Sequence, residues 1–178
     1  KMTEGKIEIS PAAMKGLKTA MKVMEITQAI EFFQDGYPQV AIFFTDKSGV
    51  RRKCLVDYIK NSFGTDLKTY VNTNAIPTET FVGNYVANFR SDWQAAIDLD
   101  GIAAGRNFAG KGKVLGEVDQ SWIEQFSLVT APKFFFVFLE RGAAPHVTIK
   151  SFDQFDTDGT PHEYSRQATF DVGRAIKR

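Results

Sequence analysis

One cysteine, two histidines and no apolar run of membrane length are what this 178-residue chain offers where many proteins keep their chemistry. The lone Cys54 excludes an intrachain disulfide framework and any cysteine-based zinc cage. His146 and His162 stand sixteen residues apart, each near a proline, and a metal site needs further ligands in fixed geometry that the sequence does not supply. No metal, cofactor or catalytic residue is therefore predicted. No stretch reaches the roughly 18 apolar residues of a membrane span, and Lys1 to Ile9 holds no apolar core for a secretory signal. The expected location is cytoplasmic or within a virus-like particle.

A charge excess is also missing. The net charge is +1, with ten Lys/Arg against seven Asp/Glu over residues 1–60, five against eight over 61–130, and seven against six over 131–178. A dominant nucleic-acid binder carries a clearer basic surplus.

What the chain does have is aromatic surface: sixteen Phe, five Tyr and two Trp. Such side chains build cores and interfaces. At 178 residues, with 43% apolar and 24% charged side chains, the chain has the size and composition of one globular domain over 1–178.

Along the chain, residues 10–35 read as a long helix. Ser10 suits the N-cap, Pro11 the first turn, and Gly36 the stop. Met14, Leu17, Met21, Met24, Ile30 and Phe33 form a stripe that predicts packing on the core, and its methionines also suit a second subunit. Residues 39–60 read as a hairpin around Asp46-Lys47-Ser48-Gly49, with Cys54, Val56 and Tyr58 on one face and Arg51, Lys53 and Asp57 on the other. Residues 61–130 read as short helices and loops, with Thr78 to Phe89 open to either helix or strand. Ser91 is expected to cap one helix weakened by Gly101. Asp119 starts another through Phe126, and the glycine-rich 105–116 reads as an exposed loop. Phe134 to Leu139, apolar on both faces, predicts a covered strand, followed by strands over 146–155 and 164–172. The fold class predicted is α+β: a single domain with a long N-terminal helix, a β-hairpin, short central helices and a C-terminal antiparallel β-meander.

Local motifs are weak. Gly105-Arg106-Asn107-Phe108-Ala109-Gly110-Lys111-Gly112 approaches a phosphate-binding loop, but Gly112 stands where a Ser or Thr must hold magnesium. Asp153, Asp156, Asp158 and Gly159 resemble a calcium loop only faintly, because the twelfth position falls on Ser165. A scattered site around Cys54, His146 or His162 is the enzymatic alternative. Basic and aromatic residues interleave at Arg51, Arg52 and Lys53 near Phe43, Phe44 and Tyr58, and again at Arg106, Lys111 and Lys113 around Phe108. Grooves of that composition hold single strands. The reading is accordingly a non-enzymatic structural or assembly protein that self-associates or joins a larger complex such as a virion or tail-like particle. Its alternative is a single-stranded nucleic-acid binder using Arg51, Arg52, Lys53, Arg106, Phe108, Lys111 and Lys113.

Overall fold

A computed structural model describes residues 9–46, 48–142 and 145–152. The expected strand at 164–172, the Asp-rich turn, His162 and the calcium-like segment beyond residue 152 lie outside the described residues.

Helix α1 spans Pro11–Ile26, and its first turn is fastened by Ser10 Oγ, which accepts from the Ala13 N–H at 3.2 Å. A lost cap of this kind costs about 1 kcal/mol. The helix stops short of residue 35 because Gln28 adopts a left-handed backbone (φ 57°), after which Ala29–Phe33 forms a 3-10 turn. Only the end of the predicted stripe packs on the core. Met24 is buried, whereas Met14, Leu17 and Met21 are exposed.

Strands β1 (Tyr37–Thr45), β2 (Arg51–Ile59) and β3 (Phe63–Tyr70) run antiparallel in sequence order. Helices α2 (Thr78–Phe89), α3 (Ser91–Ala109) and α4 (Gln120–Leu128) follow. The chain then returns as β4 (Lys133–Glu140), parallel to β3, and β5 (Val147–Ser151), antiparallel to β4. The five strands lie in the order β1-β2-β3-β4-β5. The α+β class matches the expectation, but the described strands form one mixed sheet whose antiparallel meander lies at its start, and the central β3–β4 pair is parallel. A parallel pair needs a long crossover, which α2 to α4 provide.

The helices sit on the face that carries Ile42, Phe44, Cys54, Val56, Phe134, Phe136 and Phe138, all buried. Helix α3 presses closely on this face. A Cβ on Gly101 would collide with Cys54 Sγ, and one on Gly105 would stand 3.1 Å from Ile42 Cδ1. These glycines therefore continue α3 past its expected end at Gly101, at a propensity cost of roughly 1 kcal/mol each, in exchange for close approach. Residues 105–109 are helix, not loop. On the other face, described residues cover β3, β4 and the Tyr58 end of β2, where Phe33 meets the Tyr58 ring edge-on at 5.9 Å. Met24 and Ala29 bury Val137 and Leu139, and Phe32 meets Phe135 edge-on at 5.1 Å.

Candidate functional site

Strands β2 and β3 are registered at only two pairs, Tyr58↔Thr65 and Ile59↔Gly64. The next residues outward are Asp57 on β2 and Asp66 on β3. Like charges placed directly opposite destabilise a ladder, and here the strands part. Where the ladder ends, the two carboxylates stand opposite each other and close enough to interact electrostatically. The Leu67 N–H, released from the ladder, hydrogen-bonds Asp57, and Gln39 Nε2 donates to Asp57 Oδ1 from β1 at 3.3 Å. Burial, then the charge of Asp66, raises the Asp57 carboxyl above the usual range.

On β3, Asp66 and Lys68 are two residues apart and so share the face toward α3. Lys68 Nζ lies 2.8 Å from Asp66 Oδ1 and 2.9 Å from Gln94 Oε1 on α3. It also stands 5.3 Å from the centre of the Phe136 ring. Gln94 closes the circuit by donating from Nε2 to Asp66 Oδ2 at 2.6 Å. The ammonium is thus fixed by a carboxylate, an amide oxygen and an aromatic face. Asp66 is 5% exposed, and apart from the ion pair its Oδ1 accepts no hydrogen bond.

One turn along α3 from Gln94 stands Asp98, 4% exposed. Burial pushes its carboxyl up to about 7, opposed by a hydrogen bond from Gln94 and reinforced by the charge of Asp66. The Cys54 thiol beneath it is driven up to about 12, by burial first and then by the Asp98 charge. Cys54 is a protonated core side chain, not a nucleophile.

Among the described residues no three His, Cys, Asp or Glu side chains form a closed metal cage. The two carboxylates at the end of the ladder are instead oxygen donors of the kind a hard cation such as Mg²⁺ takes, with Asp66 Oδ1 held by the Lys68 ammonium and Oδ2 by Gln94. That ion keeps several waters and takes one or two carboxylates plus substrate phosphates. The residues present fit such an ion. A cavity of about 680 Å³ lies elsewhere, beside edge strand β1, lined by residues including Val40, Phe108, Val114 and Trp122 and by none of these carboxylates.

The residues singled out in the sequence are dispersed. Arg106 is 4% exposed and donates to the carbonyls of Val129 (3.1 Å) and Asn61 (3.4 Å), with Phe126 against its guanidinium; it is a buried tie and contacts no solvent groove. Phe108 is half-buried against the core beside that cavity. Arg52 points to the helix side, paired with Asp46 at 2.5 Å and with Asp100 at 4.0 Å. Lys111 and Lys113 are exposed beyond the end of α3, while Arg51 and Lys53 are exposed on β2. His146 precedes β5 and does not meet Cys54. Asp57, Asp66, Lys68, Gln94 and Asp98 were not picked out. The available signal was a carboxylate inside each of two β-favouring runs, Val56-Asp57-Tyr58 and Thr65-Asp66-Leu67, with a lysine two residues after the second.

No protein-family model and no curated protein matches the sequence. Solved structures show similarity to this chain. One is a protein from Eubacterium rectale named as a candidate exonuclease, 16% identical with a TM-score of 0.59, covering 99% of this chain and 55% of its own. Another, the protein SSO0001, is 11% identical with a TM-score of 0.39, covering 95% of this chain and 62% of its own. The chain thus spans little more than half the length of these structures. The likeness to the first is one of fold. With the charged cluster on the central strands, it overturns the expectation of a non-catalytic structural or assembly protein. Desolvated carboxylates and a lysine are costly and add nothing to subunit packing.

Proposed function

We propose that this chain is a divalent-cation-dependent nuclease domain that hydrolyses phosphodiester bonds at the end of the β2–β3 ladder. The observation that carries the reading is the convergence of Asp57, Asp66 and Lys68 where the two strands part. The name of the Eubacterium rectale protein of like fold supports it.

Asp57 and Asp66 would hold the cation, which when bound supplies Lewis-acid polarisation of a phosphate oxygen and acidifies a bound water. The chain's own residues do the rest. Gln94 fixes both Asp66 Oδ2 and the Lys68 ammonium, so neither must reorganise as charge develops. Lys68 presents a fixed positive charge beside the carboxylate that faces the phosphate. In the overall step a water oxygen bonds to phosphorus, the phosphorus–oxygen ester bond breaks, and the departing oxygen takes the electron pair and a proton. Asp98, buried one turn along α3, accepts a hydrogen bond from Gln94 and so helps to hold that amide in place.

The test is cleavage of end-labelled single-stranded DNA, duplex DNA and RNA in Mg²⁺ or Mn²⁺. The expected result is metal-dependent hydrolysis that EDTA stops, and that Asp66→Asn or Lys68→Ala lowers by about 100-fold or more, the scale of losing a preorganised charge partner. A wild-type protein that cleaves none of these polymers in either metal, or an Asp66→Asn variant that cleaves at the wild-type rate, would refute the reading.

A further inference from the structure

We propose that the face of the β1–β2 ribbon that no described residue covers is a track that guides single-stranded nucleic acid toward Asp57, with Phe43 as a base-stacking platform and Lys53 and Arg51 as phosphate contacts. Its end point rests on the nuclease reading above.

The register puts these residues in a row. Thr45 faces Arg51, Phe43 faces Lys53, and Ala41 faces Leu55. Directly opposite partners share a face, and beyond Ala41 and Leu55 the ladder skips Gln39, whose backbone is left-handed (φ 53°), and Asp57, which are joined by a side-chain hydrogen bond at 3.3 Å. The helices occupy the reverse face, where Ile42, Phe44, Cys54 and Val56 are buried. Among the described residues none covers the ribbon face, where Phe43 is 69% and Leu55 53% exposed.

Charge selects the occupant. Arg51 and Lys53 are exposed, and neither makes an ion pair with a described residue. Asp46, the carboxylate in the adjoining turn, is already paired with Arg52 on the helix side. The face therefore carries two cations that no described residue neutralises, and it runs toward Asp57. From Arg51 to Asp57 is six residues, roughly 20 Å at about 3.3 Å per residue, the reach of a few nucleotides. Phe43 selects a single strand over a duplex, since a ring can stack only on a base whose face is free. A two-strand ribbon, with strands about 4.8 Å apart, is also far narrower than a double helix.

The test is fluorescence anisotropy of a labelled deoxythymidine oligomer of about 12 nucleotides, matched to typical single-strand site sizes, measured in EDTA so that binding is read without cleavage. Phe43→Ala is expected to weaken binding about tenfold. The pair Arg51→Ala and Lys53→Ala is expected to reduce the slope of log affinity against log salt by about 1.4, or about 0.7 per lost contact. All three side chains are exposed, so the variants should melt with the wild type. Unchanged affinity and slope in these variants would overturn the track, as would equal competition by duplex, or a dimer in light scattering that Phe43→Ala dissolves. Wild-type and track variants cleaving at one rate would remove the track and leave the nuclease reading standing. The expected binding losses, with no cleavage in any metal, would support the surface and remove the nuclease reading.

Discussion

Replacing Asp98 by Asn should make the protein more stable, increasingly so as pH rises. The carboxyl is 4% exposed and is raised from 3.8 to about 7, with burial as the main cause. Ionising it in the folded state is therefore harder than in the unfolded chain. The sign follows from proton linkage. The unfolded chain releases this proton near pH 4 and the folded protein near pH 7, so stability is lost as pH climbs through that window and is level above it. At 1.36 kcal/mol per unit the full loss is about 4 kcal/mol. Between pH 5 and pH 8 it is about 3 kcal/mol. Asn keeps the shape and the Gln94 contact but cannot ionise. Urea unfolding in EDTA from pH 5 to pH 8 should show the Asn variant pulling ahead of wild type by about 3 kcal/mol over that range. Asp57, also raised, is common to both proteins, and its own titration differs between them only through its charge interaction with Asp98. Parallel stability curves would refute the argument and place Asp98 in contact with water. Millimolar Mg²⁺ should narrow the gap at pH 8 in the proposed nuclease, because a cation at Asp57 and Asp66 favours the Asp98 anion.

Other outcomes follow from the same packing. Gly101→Ala should cost about 1–3 kcal/mol by overpacking, and Cys54→Ala in the same chain should recover most of that loss, because the added methyl collides with Cys54 Sγ; additive losses by calorimetry would contradict this. The Cys54 thiol, at about 12 and buried, should resist iodoacetamide at pH 8 in native protein and react on unfolding, as followed by mass spectrometry. Arg106→Ala should lower stability by about 2–4 kcal/mol in urea titration, since the carbonyls of Asn61 and Val129 lose their donors inside the fold. A near-neutral result there would mean that water replaces the guanidinium.

Local signals marked those elements whose residues serve packing alone. The Ser10-Pro11 start of α1, the Asp119 cap of α4, which accepts from the Trp122 N–H at 2.9 Å, and the turn after Thr45 all stand where cap and turn chemistry put them. The covered strand at Phe134 to Leu139 is there as well. Strand β3 escaped because its helix-facing positions hold Asp66 and Lys68 where a purely structural strand would hold apolar residues, which erased the alternation. The same substitutions build the site, so function and camouflage share a cause. Helix α3 was cut short by Gly101 and by the glycine-rich look of 105–110, although the glycines are there for contact with Ile42, Phe44 and Cys54. Arg106 read as a surface cation because no local signal tells a buried guanidinium from an exposed one. The parallel crossover could not be read, since it depends on strands seventy positions apart.

That separation has a bearing on when the domain becomes competent. Phe63 and Lys133 are neighbours in the sheet, yet three helices must be made between them. A growing chain can close the β1–β2 hairpin early, while Asp66 waits for Phe136 to arrive and wall off one side of its strand. The proposed site is then completed only when β4 has been made, so an unfinished chain still emerging from the ribosome can set Asp57 opposite Asp66 on β2 and β3 but lacks the aromatic wall beside them.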